Sequence, residues 1–372
     1  MKMGGISDDR RRIFVRTSGF ILAFVCCFWS SGFTQEGPPA APSAPAQQPG
    51  VTPHDDHRLT LDVVVTDHSG KPVTGLQQQD FTLLDNKKPQ AITSFGVTYQ
   101  TPSTPDPSID ALILVDAVNS SFQGAAYQRE GLIKFLRQDG GDLPLPISLV
   151  QLTDGSGVPT DATKDGNALA AILNSNQPGL RTVNRAQGFY GGVDRRQLSF
   201  EALERIAAHE ATLPGRKILI WLGPGWPLLS GPGVELTSKD RDMLFRMVVK
   251  VSQDLRDARI TLDSINPAGA SGSMGRELYY QTFLKGPTSA NNVENGNLAL
   301  QVLAVQSGGQ VLVSSSDIPD SVAKCLEDAK AYYTLTFDIP PASHPDEYHS
   351  LQIKIDKPHL TVRARTGYYA QP

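Results

Sequence analysis

A short apolar run that ends on a carboxylate, Leu112-Ile113-Leu114-Val115-Asp116, passes directly into Ala117-Val118-Asn119-Ser120-Ser121. A carboxylate, an amide and two hydroxyls in so short a span can bind a polar ligand by hydrogen bonds. The same groups can serve the chain alone, Asn119 and the serines capping the next helix while Asp116 accepts from loop amides. Asp116, Asn119, Ser120 and Ser121 are therefore the candidate binding residues. Trp226 is the candidate aromatic anchor of the same rim, with Trp221 expected in the core.

Other residues with reactive side chains do not converge. The seven histidines, at 54, 57, 68, 209, 344, 349 and 359, offer no spaced pair on a plausible helix. His54-Asp55-Asp56-His57 is a possible metal-binding cluster, but it lies in a linker with no further ligand in reach and reads as solvated surface. Ser271 and Ser273 lack the Gly-x-Ser-x-Gly elbow, and Gly223-Pro224-Gly225 lacks the third glycine of a dinucleotide loop. Cys325, in a helix expected over 318–330, reads as a buried inert thiol. No enzymatic activity is expected.

The run 112–116 is too short for a free helix and reads as a buried parallel strand, which delivers its polar end to the carboxyl edge of a sheet. Further strands are expected at 147–152, 218–222, 260–265 and 310–313. Helices alternate with them. Ser199 is expected to cap one helix, which Pro214-Gly215 ends, and Thr237-Ser238-Lys239-Asp240 reads as a capping box for another. Residues 108–330 therefore predict an α/β, doubly wound, mostly parallel Rossmann-like sheet covered on both faces.

Period-two alternation at Leu59, Leu61, Val63 and Val65 marks a strand, with two more at 81–85 and 92–97. The chain returns to strands at 332–337, 350–355 and 360–365. Neither set can bury a face alone. Residues 58–100 and 331–372 are therefore expected to form one β-sandwich from both ends of the chain. In the pairs Tyr332-Tyr333 and Tyr368-Tyr369, one member is expected to face the core.

The chain has 372 residues, 40% hydrophobic and 19% charged, a globular balance. Its first 34 residues carry Arg10, Arg11, Arg12 and Arg16, then an apolar stretch at 20–29 and small residues at 30–32, the pattern of a signal peptide. Arg11-Arg12 resembles a twin-arginine motif, with Arg10 where Ser or Thr is usual. The general export route and lipid attachment at Cys26 or Cys27 are the alternatives. Residues 35–57 read as a Pro/Ala/Gln-rich linker. After residue 34, 29 Lys/Arg face 36 Asp/Glu. That acidic balance argues against nucleic acid as a partner. One cysteine remains there, so no intramolecular disulfide can form. The export pattern implies the periplasm or the outside of the cell, and no transmembrane span is expected in the mature chain.

The segment 61–95, with VVVTDHSGKPVTGLQQQDFTLLDNKKPQAITSF, together with Asp116, Leu213-Pro214-Gly215-Arg216-Lys217-Ile218-Leu219-Ile220-Trp221 and Val362-Arg363-Ala364-Arg365-Thr366-Gly367-Tyr368-Tyr369, resembles the von Willebrand factor A-related proteins abundant in Acidobacteria. The resemblance implies a von Willebrand factor A-like domain. In the wider superfamily, such domains bind Mg²⁺ or another divalent ion through Asp-x-Ser-x-Ser, a later Thr and an Asp after the fourth strand. Asp116 and Ser120 match the first and third positions and are the candidate metal ligands. Val118 replaces the first Ser, and Gly223-Pro224-Gly225 stands where the second Asp is expected. Thr153-Asp154-Gly155 could supply that Asp only if the strand assignment slips. The resemblance thus implies an exported, adhesion-type interaction module with a degenerate ion site and a protein or cell-envelope partner. An envelope structural factor with no site is the alternative, and a hydrolase the least favoured.

Overall fold

The computed structural model describes residues 57–99, 109–153, 157–175, 188–228, 235–267, 279–313 and 317–372. The residues expected to form a signal peptide, most of the expected linker, Asp154-Gly155 and the serines at 271 and 273 lie outside them. Residues 54–372 form one compact unit.

Four strands open it: β1 (Arg58–Thr66), β2 (Phe81–Asp85), β3 (Lys88–Gln90) and β4 (Ser94–Tyr99). The α/β segment follows with β5 (Ile109–Asp116), α1 (Phe122–Leu136), β6 (Asp142–Leu152), β7 (Thr163–Asp165), α2 (Gly166–Ser175) and α3 (Phe189–Glu210). It continues with β8 (Arg216–Leu222), α4 (Ser238–Asp257), β9 (Ile260–Asn266), α5 (Leu300–Ser307), β10 (Val311–Val313) and α6 (Ile318–Glu327). Then come β11 (Ala331–Asp338), β12 (Glu347–Ile355), β13 (Thr361–Arg363) and β14 (Gly367–Ala370).

The α/β segment builds one six-stranded sheet, β10-β9-β8-β5-β6-β7, parallel except for β7 at its edge. Alternate residues of β5 enter opposite cores: Leu112 and Leu114 meet α3, α4 and α5, while Ala111, Ile113 and Val115 meet α1, α2 and α6. A strand buried on both faces must be apolar throughout, which is why 112–115 contains no polar residue. The first strand in sequence, β5, lies between β6 and β8, so the strand order reverses beside it. Open α/β sheets bind ligands at such a crossover, just outside the carboxyl ends of the strands. Asp116 and Gly223 occupy those ends.

The two ends of the chain pair as expected into two antiparallel sheets, β13-β1-β11-β4 and β14-β12-β2-β3. Leu59, Leu61, Val63 and Val65 from β1 share a core with Phe81, Leu83, Leu335, Phe337 and Tyr368. The expectation for the tyrosine pairs is corrected, because all four members are buried. Tyr333 and Tyr368 fill the sandwich core, whereas Tyr332 and Tyr369 enter the two cores of the six-stranded layer. The outer faces of β11 and β14 are therefore also covered. Two ion pairs fasten the same junction, Arg259 to Asp62 at 2.6 Å and Arg363 to Asp328 at 2.5 Å.

The helix signals divide. Thr237 and Asp240 make the expected capping box, the Thr237 hydroxyl accepting from the Asp240 amide at 3.2 Å and the Thr237 amide donating to the Asp240 carboxylate at 3.0 Å. Ser199 does not cap. It lies inside α3, where its hydroxyl donates to the Arg195 carbonyl one turn back, a bond that lets serine sit in a helix interior. Cys325 is buried in α6, and burial pushes its thiol well above the ordinary range.

Candidate functional site

The candidate residues come from three elements that meet at the strand-order reversal. Asp116 ends β5, Trp221 lies in β8 and Ser199 projects from α3. Asp116 is completely buried. Its Oδ1 accepts from the Asn119 amide at 2.9 Å, and its Oδ2 accepts from the Asn119 side-chain amide at 2.9 Å and from the Trp221 indole at 3.0 Å. Asn119 also donates to the Ser199 hydroxyl at 2.9 Å, which joins the loop to α3. Burial raises the Asp116 carboxyl above its ordinary value, and the bonds from Asn119, Trp221 and the Val118 amide only partly oppose that.

The other candidates turn away from this knot. Ser120 is buried and pairs with Gln128, whose Nε2 donates to its hydroxyl at 2.9 Å. Ser121 caps α1, its hydroxyl accepting from the Gly124 amide at 3.1 Å. Trp226 was expected at the rim and is instead 5% exposed. Its indole donates to the Leu298 carbonyl at 2.7 Å, and its ring lies between Phe200 and Trp221 at centroid distances of 4.7 and 5.3 Å. A buried tryptophan with its N–H satisfied packs the core and cannot anchor a partner. Trp221 is core, as expected.

Gly223 explains why no second carboxylate stands opposite Asp116. Its φ is 153°, and a Cβ there would lie 2.6 Å from the Asp116 Cβ. Only glycine allows that approach. A hard divalent cation takes six or more oxygen ligands around a charged, accessible centre. This loop offers one enclosed carboxylate already bonded to an indole and an amide, with Val118 buried beside it and Ser120 engaged elsewhere. Among the described residues no three His, Cys, Asp or Glu side chains gather in a metal-binding group. The donor set does not fit Mg²⁺. Replacing Asp116 with alanine is expected to strand the Trp221 and Asn119 donors and to cost on the order of 3 kcal/mol in urea unfolding. Calorimetric titration with Mg²⁺, Mn²⁺ and Ca²⁺ is expected to give the same heats before and after the change. An ion-binding heat that disappears with Asp116 would show that the loop opens to take a cation.

Two further buried polar clusters were not anticipated from sequence. In the sandwich, His349 Nδ1 lies 2.9 Å from Asp85 Oδ1, and the Tyr368 hydroxyl donates to Asp85 Oδ2 at 2.6 Å. Burial, and then the bond to Asp85, push the Tyr368 hydroxyl up. At the junction with the α/β layer, Asp328 takes two bonds from Arg363, and its carbonyl accepts from Arg216 at 2.8 Å. Asp263 lies beside them with Oδ1 accepting from the Gln310 amide at 2.6 Å. Each cluster includes a bond between distant positions, Asp85 to His349 across 264 positions and Arg216 to Asp328 across 112, and neither leaves a spacing signal in the chain.

Among the described residues, three large apolar side chains are exposed on elements that reach the carboxyl edge. Phe122 begins α1 and is 57% exposed, Tyr190 near the start of α3 is 82% exposed, and Val158 in the loop after β6 is 72% exposed. The helices run antiparallel to the strands they connect, so the starts of α1 and α3 lie at the carboxyl edge of the sheet.

No family model matches the chain. No curated protein matches it either. Among solved structures, the chain is similar to an aerotolerance-related membrane protein from Bacteroides fragilis, at 10% identity and a TM-score of 0.31 over 60% of this chain and 98% of that one. BatB from Bacteroides thetaiotaomicron matches at 12% identity and a TM-score of 0.29, over 60% and 98% of the two chains. The pilus adhesin SpaC from Lactobacillus rhamnosus GG matches at 9% identity and a TM-score of 0.36, over 80% of this chain and 49% of that one. Likenesses this distant assign neither family nor function, and they do not narrow the sequence resemblance to the Acidobacterial proteins. Among the described residues no helix is long and apolar enough to cross a membrane.

Proposed function

We propose that this chain is an exported, non-catalytic protein-interaction module of the von Willebrand factor A-related, adhesion type, acting in the periplasm or outside the cell. It binds its partner at the carboxyl rim of the six-stranded sheet. The contact is apolar and aromatic, and the Asp116 knot acts beneath it as the brace that fixes the loops. The observation that supports this reading is the exposure of Phe122, Val158 and Tyr190 around that edge. Large apolar side chains left exposed on the elements of one edge carry a cost in water that a bound partner reduces, and aromatic residues are enriched in binding hot spots.

The test is affinity capture from an envelope fraction with the full chain, beside the double variant Phe122→Ser, Tyr190→Ser. Leu213→Ser, which alters an exposed apolar residue before β8 at the opposite edge, is the control. A species held by the wild type and the control but lost from the double variant is the expected result. Equal capture by all three chains would reject the rim as the binding surface and favour an envelope structural factor.

A further inference from the structure

β4 is an outer strand of the sandwich and pairs only with β11 among the described residues. An outer strand presents unpaired backbone N–H and C=O groups. Natural proteins guard such edges with charge, proline, bulges or very short strands. The sandwich's other outer strands follow that rule: β13 and β3 have three residues each, β3 carries Lys88 and Pro89, and β14 has four residues. β4 has none of these guards. Its six residues, Ser94-Phe95-Gly96-Val97-Thr98-Tyr99, include no charge and no proline, and its register with β11 is unbroken.

The side chains point to what would cover it. Phe95, Val97 and Tyr99 lie opposite Leu335, Tyr333 and Ala331, on the face directed into the sandwich. Phe95 meets Tyr333 at 5.9 Å and Phe81 at 5.6 Å, so the second sheet covers it. That cover then runs out, leaving Val97 42% and Tyr99 52% exposed. An apolar inner face thus continues past its cover, along a strand that pairs on one side only among the described residues.

We propose that β4 pairs antiparallel with β4 of a second copy of this chain, joining two four-stranded sheets into one continuous sheet. The edge carries no charge, so self-pairing sets no like charges against each other and a charged partner strand finds no counter-charge. In a two-fold antiparallel pair the same alternate residues point outward from both strands, so the axis must pass through a residue, not between two. An axis through Val97 places Phe95 opposite the partner's Tyr99 and Val97 opposite the partner's Val97. These are apolar cross-strand pairs of the kind that stabilise sheets. An axis through Gly96 would leave Tyr99 without a partner. The interface is isologous and closes at two copies. Each assembly then carries two carboxyl rims, which multiplies attachment to a surface bearing repeated targets.

The test uses the full chain with Cys26 and Cys27 changed to serine. Sedimentation is expected to give about twice the chain mass for this protein and the single-chain mass for Val97→Lys, with the far-ultraviolet circular dichroism of the two alike. Under mild oxidation Val97→Cys is expected to form a covalent dimer, because the two side chains at this position face each other across the axis and a small backbone shift brings their Cβ atoms within disulfide range. Thr98→Cys faces Gly96 of the partner and is expected to remain uncross-linked. A single-chain mass at every concentration, an unchanged mass in Val97→Lys, or equal cross-linking at both positions would overturn the proposal.

Discussion

Replacing Arg363 with methionine is expected to lower the unfolding free energy by about 3–5 kcal/mol in a urea titration. The guanidinium gives Asp328 two bonds, at 2.5 and 2.6 Å, and the Asp328 side chain is only 3% exposed. Without it, the carboxylate keeps one long bond from Gln310 at 3.4 Å and faces the buried Asp263 carboxyl. Most of the loss comes from the stranded charge, not from the worth of the pair. The double variant Arg363→Met, Asp328→Leu is therefore expected to recover much of the stability, since two apolar side chains need no compensation. A single-variant loss under about 1 kcal/mol would mean that water reaches Asp328 and the pair behaves as a surface bridge.

Stability is also expected to fall between pH 5 and pH 8, by roughly 2–3 kcal/mol, through Asp263. Burial first, and then the neighbouring Asp328 charge, push its carboxyl up to about 7 from 3.8, against the Gln310 amide, Arg363 and Arg216. The folded state therefore holds a proton that the unfolded chain has released. A carboxyl raised in this way contributes its full stability below about pH 4, loses it as pH climbs to about 7, and is flat above. Asp67, Asp80, Asp240 and Glu347 are shifted down by hydrogen bonds at exposed sites, so their effect has the opposite sign and falls at more acid pH. Asp116 is raised and adds in the same sense as Asp263. Unfolding midpoints of wild type and Asp263→Asn at pH 5, 6, 7 and 8 separate the contributions. The variant keeps an oxygen for the Gln310 amide and should show a flatter profile. Parallel profiles would place the pH dependence elsewhere.

The site residues show where sequence reading reached and where it stopped. The run 112–116 could only be a doubly buried strand, and a polar group at its end had to emerge at the carboxyl edge. What Asp116 bonds to was not legible, because Trp221 lies 105 positions away and reaches it through sheet register. Gly223 was legible as a departure from an ion-binding pattern. Its reason, the approach to the Asp116 Cβ, required the backbone path. Trp226 went astray because an aromatic near a strand end reads the same whether it faces solvent or folds inward. The packing of Phe200 and the Leu298 carbonyl decided that.

By itself the sequence determined the alternation of strands and helices, the capping box at Thr237 and the joining of both chain ends in one sandwich. These follow from local periodicity and from the need of short strand sets to bury a face. Only the tertiary structure decided that both members of each tyrosine pair are buried, that Asp263, Asp328 and Arg363 share a junction, and that β4 is an outer strand of its sheet among the described residues. Those features depend on which surfaces meet across hundreds of residues. Burial and strand order are properties of the assembled layers, and no local spacing encodes them.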